Sequence, residues 1–161
     1  MKQGMMAESK HLLIVYHSQS GTTSKMADAV IRDAKHPDID GVEVRVRDAP
    51  EASPEDVIWA HGLILGTPEN LGYLSGAMKY FLDRVYYPCE DKIGGMPYAL
   101  FVRAGNDGTG AISNMTRILT GLSVKQVQDP VLIAGEFDSE RLSECEELGM
   151  TMAAGLKSGV F

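Results

Sequence analysis

The stretch HLLIVYHSQSGTTSK, residues 11–25, joins an apolar run to a turn that is rich in hydroxyl groups. A continuous apolar run such as HLLIVY (11–16) is typical of a strand that is buried on both faces, as strands of parallel sheets are. A helix is predicted to follow over residues 22–35, where apolar residues recur on one side. The stretch therefore predicts one strand–loop–helix unit of an α/β domain.

The same alternation continues along the chain. Residues 42–47 alternate valine with charged residues, which predicts a strand with one wet face near an edge of the sheet. This alternation predicts a three-layer α/β fold, with a five-stranded parallel sheet in the order 2-1-3-4-5. We expect residues 1–161 to form a single domain, with 1–10 as a loose N-terminus. The predicted strands are 11–16, 42–47, 62–66, 97–102 and 130–135, and the predicted helices are 22–35, 53–60, 73–86, 109–122 and 138–157.

The composition argues against some classes of partner. The 161 residues include 15 basic and 22 acidic ones, for a formal charge of −7, which argues against nucleic acid as the main partner. Cys89, Cys145 and four scattered histidines show no metal-ligand spacing, so no metal site is predicted. The two cysteines are expected to be reduced thiols of a cytoplasmic protein. Neither a signal peptide nor a membrane span is predicted.

Three loops are predicted to form a ligand site at one edge of the sheet. In open parallel sheets, ligands bind outside the carboxyl ends of the strands, where the strand order reverses. That rule selects the loops that follow the first, third and fourth predicted strands. They are HSQSGTT (17–23), TPENLGY (67–73) and RAGNDGTG (103–110).

The first loop has the chemistry of a phosphate site. Its hydroxyls are hydrogen-bond donors, Gly21 permits close approach of the backbone, and the start of a helix favours an anion. Lys25 does not follow a glycine as a Walker A lysine does, and the single glycine does not match the dinucleotide motif G-x-G-x-x-G. A monophosphate held by neutral donors fits the loop. The alternative is an ordinary helix cap of serine and threonine residues.

The loops resemble those of known flavoproteins. SQSGTT (18–23) resembles the [ST]-x-[ST]-G-x-T loop that holds the FMN phosphate in flavodoxins. GTPENLGYLSGAMKYFLDR (66–84) is similar to the flavin-ring loop and following helix of NAD(P)H-dependent FMN reductases and related NAD(P)H:quinone reductases. RAGNDGTG (103–110) lies where those families have a third, glycine-rich flavin loop. The resemblance extends over about residues 11–157 and implies a flavodoxin-like fold.

The resemblance also implies an FMN cofactor with NAD(P)H as the electron donor. The flavin then carries the chemistry, so no catalytic side chain is predicted. A carboxylate beside the flavin ring, at Glu69, would lower the reduction potential of the flavin. The implied cofactor-binding residues are Ser18, Gln19, Ser20, Gly21, Thr22 and Thr23 around the phosphate, Thr67, Pro68, Glu69, Asn70, Leu71 and Gly72 along the ring, and Ala104, Gly105, Asn106, Asp107 and Gly108 at its other edge.

Three functions are compatible with the sequence. The first is an oxidoreductase that passes electrons from NAD(P)H through FMN to a quinone, a flavin or a similar small acceptor. The second is a short-chain flavodoxin that carries electrons to a protein partner, and the third is a binding module without flavin. The third loop contains no aromatic residue and the second contains only Tyr73, which implies an open ring face and favours the oxidoreductase.

Two further expectations concern partners. Reductases of this kind commonly form homodimers, and we expect the same here. No basic cluster identifies a site for the 2′-phosphate of NADPH, and Arg103 and Lys92 are candidates by position alone.

Overall fold

The computed structural model describes residues 8–161, in which strands and helices alternate along the chain. The strands are β1 (Lys10–Tyr16), β2 (Val42–Asp48), β3 (Gly62–Asn70), β4 (Tyr73–Leu74), β5 (Pro97–Ala104), β6 (Lys125–Gln126) and β7 (Val131–Ala134). The helices are α1 (Thr22–Ala34), α2 (Pro54–Trp59), α3 (Gly76–Cys89), α4 (Thr109–Gly121) and α5 (Leu142–Ser158), and a 3₁₀ turn (Ser139–Arg141) precedes α5.

The parallel sheet has the predicted strand order. Its path is β2-β1-β3-β5, and both β6 and β7 pair with β5 on the far side. β6 pairs with the start of β5 at Pro97–Tyr98, and β7 pairs with its end at Phe101–Ala104. The order 2-1-3-4-5 is therefore confirmed, with β5 as the fourth strand and with β6 and β7 sharing the fifth position. Sequence analysis missed β6 because its two exposed polar residues carry no strand signal.

β2 lies at the edge of the sheet, as its alternating sequence predicts. Among the strands of the described residues, β2 has one neighbour, β1, with which it pairs in parallel. The predicted loose N-terminus, 1–10, is wrong at its last residue, because Lys10 begins β1 and donates its N–H to the carbonyl of Gly41 at 2.9 Å. Residues 1–7 of that prediction lie outside the described residues.

Apolar layers cover both faces of the sheet. One layer packs the sheet against α2, α3 and α4 and includes Phe81 and Leu119. The other packs it against α1 and α5 and includes Met26 and Met152. Each of these four side chains is at most 1% exposed, and complete burial of one such side chain contributes roughly 1.5–3 kcal/mol. The predicted three-layer arrangement follows from these two layers.

The third strand is longer than the sequence predicts. β3 continues to Asn70, beyond the predicted end at residue 66, and folds back through a tight turn into the antiparallel β4. Pro68, which suggested a loop in the sequence, lies within β3 and pairs in register with Arg103 of β5. The helix predicted over residues 73–86 is α3, and Ser75 caps its start by accepting the N–H of Met78 at 3.1 Å.

Candidate cofactor site

The three loops selected from the sequence converge on one cavity at the carboxyl edge of the sheet. Its volume is about 290 Å³. Every loop contributes to its wall, which consists of Gln19, Ser20, Thr22, Pro68, Glu69, Asn70, Arg103 and Gly105. A second concave region, of about 250 Å³, is lined in part by His17 and Ser18 of the first loop. A third, of about 270 Å³ between α3 and α4, is lined by residues outside the three loops. The wall thus combines hydroxyls, amides, one carboxylate and one guanidinium.

The first loop presents the N-terminus of α1. Gly21 is the N-cap in a left-handed conformation, with φ of 100°. The hydroxyl oxygen of Ser18 accepts the N–H of Gly21 at 3.2 Å and that of Ser24 at 3.1 Å. The first helical hydrogen bond runs from Lys25 N–H to the carbonyl of Gly21, so the N–H groups of Thr22 and Thr23 have no acceptor within the helix. The Ser18 hydroxyl therefore satisfies two N–H groups at the start of α1, and the rest of the helix terminus remains available to an anion.

The hydroxyl residues of the first loop differ in accessibility. Ser20 is exposed and Thr22 is half-buried, and both line the cavity. Thr23 is only 2% exposed, so it faces the interior of the domain. Of the predicted phosphate contacts in this loop, Ser20 and Thr22 present hydroxyls to the cavity, and Gln19 also lines it.

A side-chain contact links the first loop to the second. Asn70 Nδ2 donates a hydrogen bond of 2.8 Å to Gln19 Oε1. These residues are 51 positions apart in the sequence and lie after different strands. The contact therefore fixes the width of the cavity between the two loops.

Two polar residues at the base of the second loop are committed to its internal structure. Thr67 is fully buried, and its hydroxyl donates to the carbonyl of Pro68 at 2.8 Å and accepts the N–H of Ser75 at 3.0 Å. Nδ1 of His17 lies 3.0 Å from the hydroxyl oxygen of Ser75. Thr67 and His17 thus position the start of α3, and the hydroxyl of Thr67 is not free to contact a ligand. Sequence analysis did not identify Ser75 as the residue that joins them.

The turn between β3 and β4 exposes an apolar side chain beside the cavity. Leu71 has φ of 54°, a left-handed conformation that costs a residue with a side chain about 1–2 kcal/mol. Its relative exposure is 105%, the highest among the large apolar residues that the structure describes as exposed. The next residue, Gly72, completes the turn with φ of 75°. Leu71 is thus held in a strained conformation that places its side chain in solvent.

Glu69 joins the second loop to the third. Its Oε1 accepts the N–H of Gly108 at 3.2 Å, and its Oε2 accepts the N–H of Ala111 at 3.2 Å. Gly110 permits this close packing, because a Cβ there would lie 1.8 Å from the carbonyl oxygen of Gly72. The sequence places Glu69 beside a flavin ring as a free charge. The structure instead engages its carboxylate with the first turn of α4, where two N–H groups partly compensate the charge.

The third loop presents mainly backbone to the cavity. Gly105, Asn106 and Asp107 are exposed, whereas Ala104 and Gly108 are buried. The N–H and the hydroxyl of Thr109 donate to Asp107 Oδ1 at 3.1 and 2.9 Å, and these hydrogen bonds lower the pKa of the Asp107 carboxyl. Of the residues that follow Arg103 in this loop, Gly105 lines the cavity. Sequence analysis therefore located the loop correctly, while the fold leaves Ala104 and Gly108 as supporting residues.

Arg103, which the sequence suggested only as a candidate for the 2′-phosphate of NADPH, adds a positive charge to the cavity wall. It occupies the end of β5 and lines the wall together with Ser20 and Thr22. One terminal nitrogen donates to the carbonyl of Ile133 at 3.0 Å and also contacts the carbonyl of Ala104. Lys92, the other positional candidate, instead donates to the carbonyl of Pro88 at the end of α3.

The sequence matches a known family model over most of its length. The model of the NADPH-dependent FMN reductases matches residues 11–138, which span β1 to the start of the 3₁₀ turn region. The chain belongs to the NADPH-dependent FMN reductase family. This membership confirms the resemblance, noted from the loop sequences, to flavodoxin-like FMN-binding proteins.

Individual relatives of this family member have different names. A protein named flavodoxin from Aquifex aeolicus is 35% identical over 158 residues, which cover 88% of this chain and 84% of the relative. An NAD(P)H dehydrogenase (quinone) from Acidithiobacillus ferrooxidans is 29% identical over 132 residues, which cover 69% of this chain and 65% of the relative. The solved structure of a flavodoxin from the domain Archaea superposes with a TM-score of 0.76 at 21% identity, covering 91% of this chain and 99% of the other. The last comparison confirms the flavodoxin-like fold.

The described residues lack two features, a membrane-spanning helix and a metal-binding cluster. Across residues 8–161, no helix is sufficiently long and apolar to cross a membrane. The same residues contain no group of three or more His, Cys, Asp or Glu side chains arranged to hold a metal ion.

Proposed function

We propose that this FMN reductase family member binds FMN in the cavity and passes electrons from NAD(P)H to a quinone, a flavin or a similar small acceptor. The observation that carries the proposal is the convergence of the α1 terminus with the second and third loops on one cavity. Two contacts made by side chains, Asn70–Gln19 and Glu69–Gly108, join these loops to one another. A site that is braced in this way loses little conformational entropy when it binds a rigid ligand.

The residues present are suited to the parts of FMN. The hydroxyls of Ser20 and Thr22 and the terminal N–H groups of α1 would hold the phosphate. The flat flavin ring requires close approach of backbone groups, which the exposed stretch Gly105–Asp107 and the turn at Leu71–Gly72 would provide.

The protein has a positioning role in this function. Bound FMN supplies the capacity to accept hydride from a nicotinamide and to pass the electrons to an acceptor. Ser18 keeps the start of α1 in its cap conformation, and Asn70 holds the first two loops at a fixed separation. Glu69 fixes the third loop, and Thr67 fixes the turn into α3. These contacts would orient the cofactor.

The small number of aromatic residues supports a small-molecule acceptor. Tyr73 is the only aromatic residue in the second loop, and its 36% exposure on β4 leaves it at the surface. The third loop has none. A ring that lacks an aromatic cover on one face would be open to a nicotinamide and then to an acceptor. The similarity to an NAD(P)H dehydrogenase (quinone) points in the same direction.

An electron carrier is the second candidate. The relative with 35% identity is named flavodoxin, and the formal charge of −7 would favour docking to a basic protein partner. In that function the exposed Leu71 would contribute to a protein contact beside the cofactor.

Anaerobic mixing tests the two candidates directly. The FMN-loaded protein is mixed with NADH or NADPH, and the flavin absorbance is followed in a stopped-flow instrument. Rapid bleaching with either nucleotide, followed by recovery when a quinone is added, supports the reductase. Absence of bleaching by both nucleotides, together with reduction by a chemical reductant, supports the carrier. A purified protein that binds no FMN contradicts both.

A further inference from the structure

Arg103 projects onto the face of the sheet that α1 covers. Side chains alternate along a strand, so Arg103 shares its face with Ala99 and Phe101 of β5. Ala99 and Phe101 pack in the layer that contains Met26 of α1, as does Ile133 of β7. The N-terminus of α1 lies on this face as well, and Arg103 lines the cavity wall together with Ser20 and Thr22 of the first loop. The fold therefore brings a cation from β5 to the loop that the sequence identifies as a phosphate site.

The Arg103 side chain is held firmly in this position. Its guanidinium is anchored by the carbonyl of Ile133 at 3.0 Å and lies 5.4 Å from the centre of the Phe137 ring. Lys25 lies 5.6 Å from the same ring, and its side chain is exposed. Phe137 thus separates two cations, of which Arg103 is the one that lines the cavity. A preorganised guanidinium of this kind is well suited to recognise phosphate.

The anchoring contacts leave part of the guanidinium unsatisfied. Nε of Arg103 is buried and has no hydrogen-bond partner among the described residues, as is also true of Nε of Arg84. Unlike Arg84, Arg103 lines the cavity. An anion bound there would compensate the charge of its guanidinium.

We propose that Arg103 is the cationic residue that binds the phosphate group, and that it makes this site select FMN over riboflavin. The inference rests on the proposed function, since it assumes that flavin occupies the cavity. FMN and riboflavin share the flavin ring and the ribityl chain and differ in the phosphate. The loop sequence alone suggests a phosphate held by neutral donors, whereas the structure adds one positive charge from a different strand. Arg103 therefore acts on the phosphate and leaves the affinity for the ring unchanged.

The test compares the affinities of two flavins for one set of variants. Apoprotein is titrated with FMN and with riboflavin, and quenching of flavin fluorescence gives both dissociation constants. Arg103→Gln is expected to raise the dissociation constant of FMN by about 10- to 100-fold, which is the effect of losing one charged hydrogen bond. The dissociation constant of riboflavin should change by less than about threefold. The salt dependence of FMN binding should also weaken in this variant.

Two further variants separate charge from structure. Arg103→Lys retains the cation and should restore most of the preference for FMN. Lys25→Gln removes the second cation beside Phe137, outside the cavity wall, and should leave the preference within about twofold of the parent. If Arg103→Gln does not fold, Arg103→Met, which keeps a long unbranched side chain without the charge, takes its place in the same two titrations.

The outcomes distinguish this inference from the proposed function. Equal losses of FMN and riboflavin in Arg103→Gln would show that Arg103 only anchors the carbonyls of Ala104 and Ile133, and would overturn the inference. A parent protein that binds both flavins with equal affinity overturns it as well, while the flavin site stands. A parent that binds neither flavin overturns both proposals.

Discussion

Glu69 Oε2 accepts the backbone N–H of Ala111 at 3.2 Å, which fixes the first turn of α4 against the end of β3. Ala111 is the third residue of α4, so its N–H is one of those that lack an acceptor within the helix. The carboxylate thus serves as a side-chain cap that reaches the helix from a neighbouring strand. Because Glu69 also binds Gly108, one residue determines the spacing of two loops of the cavity.

Glu69→Gln is expected to lower the free energy of unfolding by about 1–2 kcal/mol. The amide has a single acceptor oxygen, so one N–H of α4 loses its partner, and the favourable charge at the helix terminus disappears. Urea denaturation of the apoprotein measures this loss. Glu147→Gln, an exposed change on α5, is the control and should alter stability by less than about 0.5 kcal/mol.

The same variant tests the electrostatic hypothesis that came from the sequence. A free carboxylate beside the ring would lower the reduction potential of bound flavin, and its removal would raise that potential. Because the N–H groups of Gly108 and Ala111 partly compensate the charge, we expect only a small rise in the midpoint potential. A large rise with no loss of stability would contradict the bracing role of Glu69.

Gly21→Ala is expected to weaken FMN binding by at least about tenfold while the protein still folds. With φ of 100°, any residue with a side chain is strained there by about 1–2 kcal/mol. An added Cβ would meet no protein atom within 4 Å. A loss of FMN binding energy that exceeds the backbone strain therefore indicates that the new side chain obstructs the ligand. FMN affinity should fall by at least about tenfold in a fluorescence titration.

Gly41→Ala is the matched control for this prediction. Gly41 also has a positive φ, 75°, and no protein atom within 4 Å of an added Cβ, but it precedes β2 and lies outside the cavity wall. It should lose a similar amount of stability and keep its FMN affinity. Equal loss of FMN in both variants would place the phosphate site elsewhere.

The parts of the fold that depend on local patterns were predictable from the sequence. The apolar run of β1 is the pattern of a strand buried on both faces, and the alternating residues of β2 are the pattern of a strand with one exposed face. The strand order then identifies the edge of the sheet at which a ligand binds. This sufficed to locate the three loops. The extension of β3 was missed because Pro68 normally marks a turn, and only its register with Arg103 shows that it lies in the sheet.

The chemistry of the cavity wall depended more on tertiary contacts. The hydroxyls of the first loop are a local signal, whereas Glu69 finds its partners 39 and 42 residues further along the chain. Arg103 reaches the first loop because β5 lies two strands from β1 and the Arg103 side chain projects onto the face of the sheet that α1 covers. No pattern within the segment 103–110 reveals either relationship, because each depends on how the sheet places distant residues together.

The Asp56 carboxylate is expected to make stability fall in acid. Burial raises its pKa, but hydrogen bonds from the Ser53 N–H and from Arg45, both 3.0 Å, outweigh this effect, so its pKa lies below the ordinary 3.8. A carboxyl with a depressed pKa stabilises the folded state above the unfolded pKa. This contribution is lost as the pH falls below about 4 and through the folded pKa.

Asp56→Asn isolates that contribution. At pH 7 it should cost about 2 kcal/mol, because Asp56 is only 6% exposed and an amide leaves Arg45 and Arg47 without an ionic partner. Below pH 4 the difference from the parent should shrink, as measured by thermal unfolding over a pH series. Asp83→Asn, which removes an exposed i,i+4 pair with Lys79, should cost less than about 0.5 kcal/mol at either pH. A pH-independent cost for Asp56→Asn would contradict this account.

Leu71→Gly is expected to stabilise the apoprotein by about 0.5–1 kcal/mol and to weaken FMN binding. Glycine relieves the left-handed strain at φ of 54°, and no buried contact is lost because the leucine is fully exposed. A strained and exposed apolar residue beside a cavity is consistent with a functional contact.

Ser123→Gly is the matched control, since Ser123 has φ of 63° and lies outside the cavity wall. It should gain stability without any change in FMN affinity. If Leu71→Gly also leaves FMN affinity unchanged, Leu71 does not contact the flavin, and its exposure then favours the carrier function.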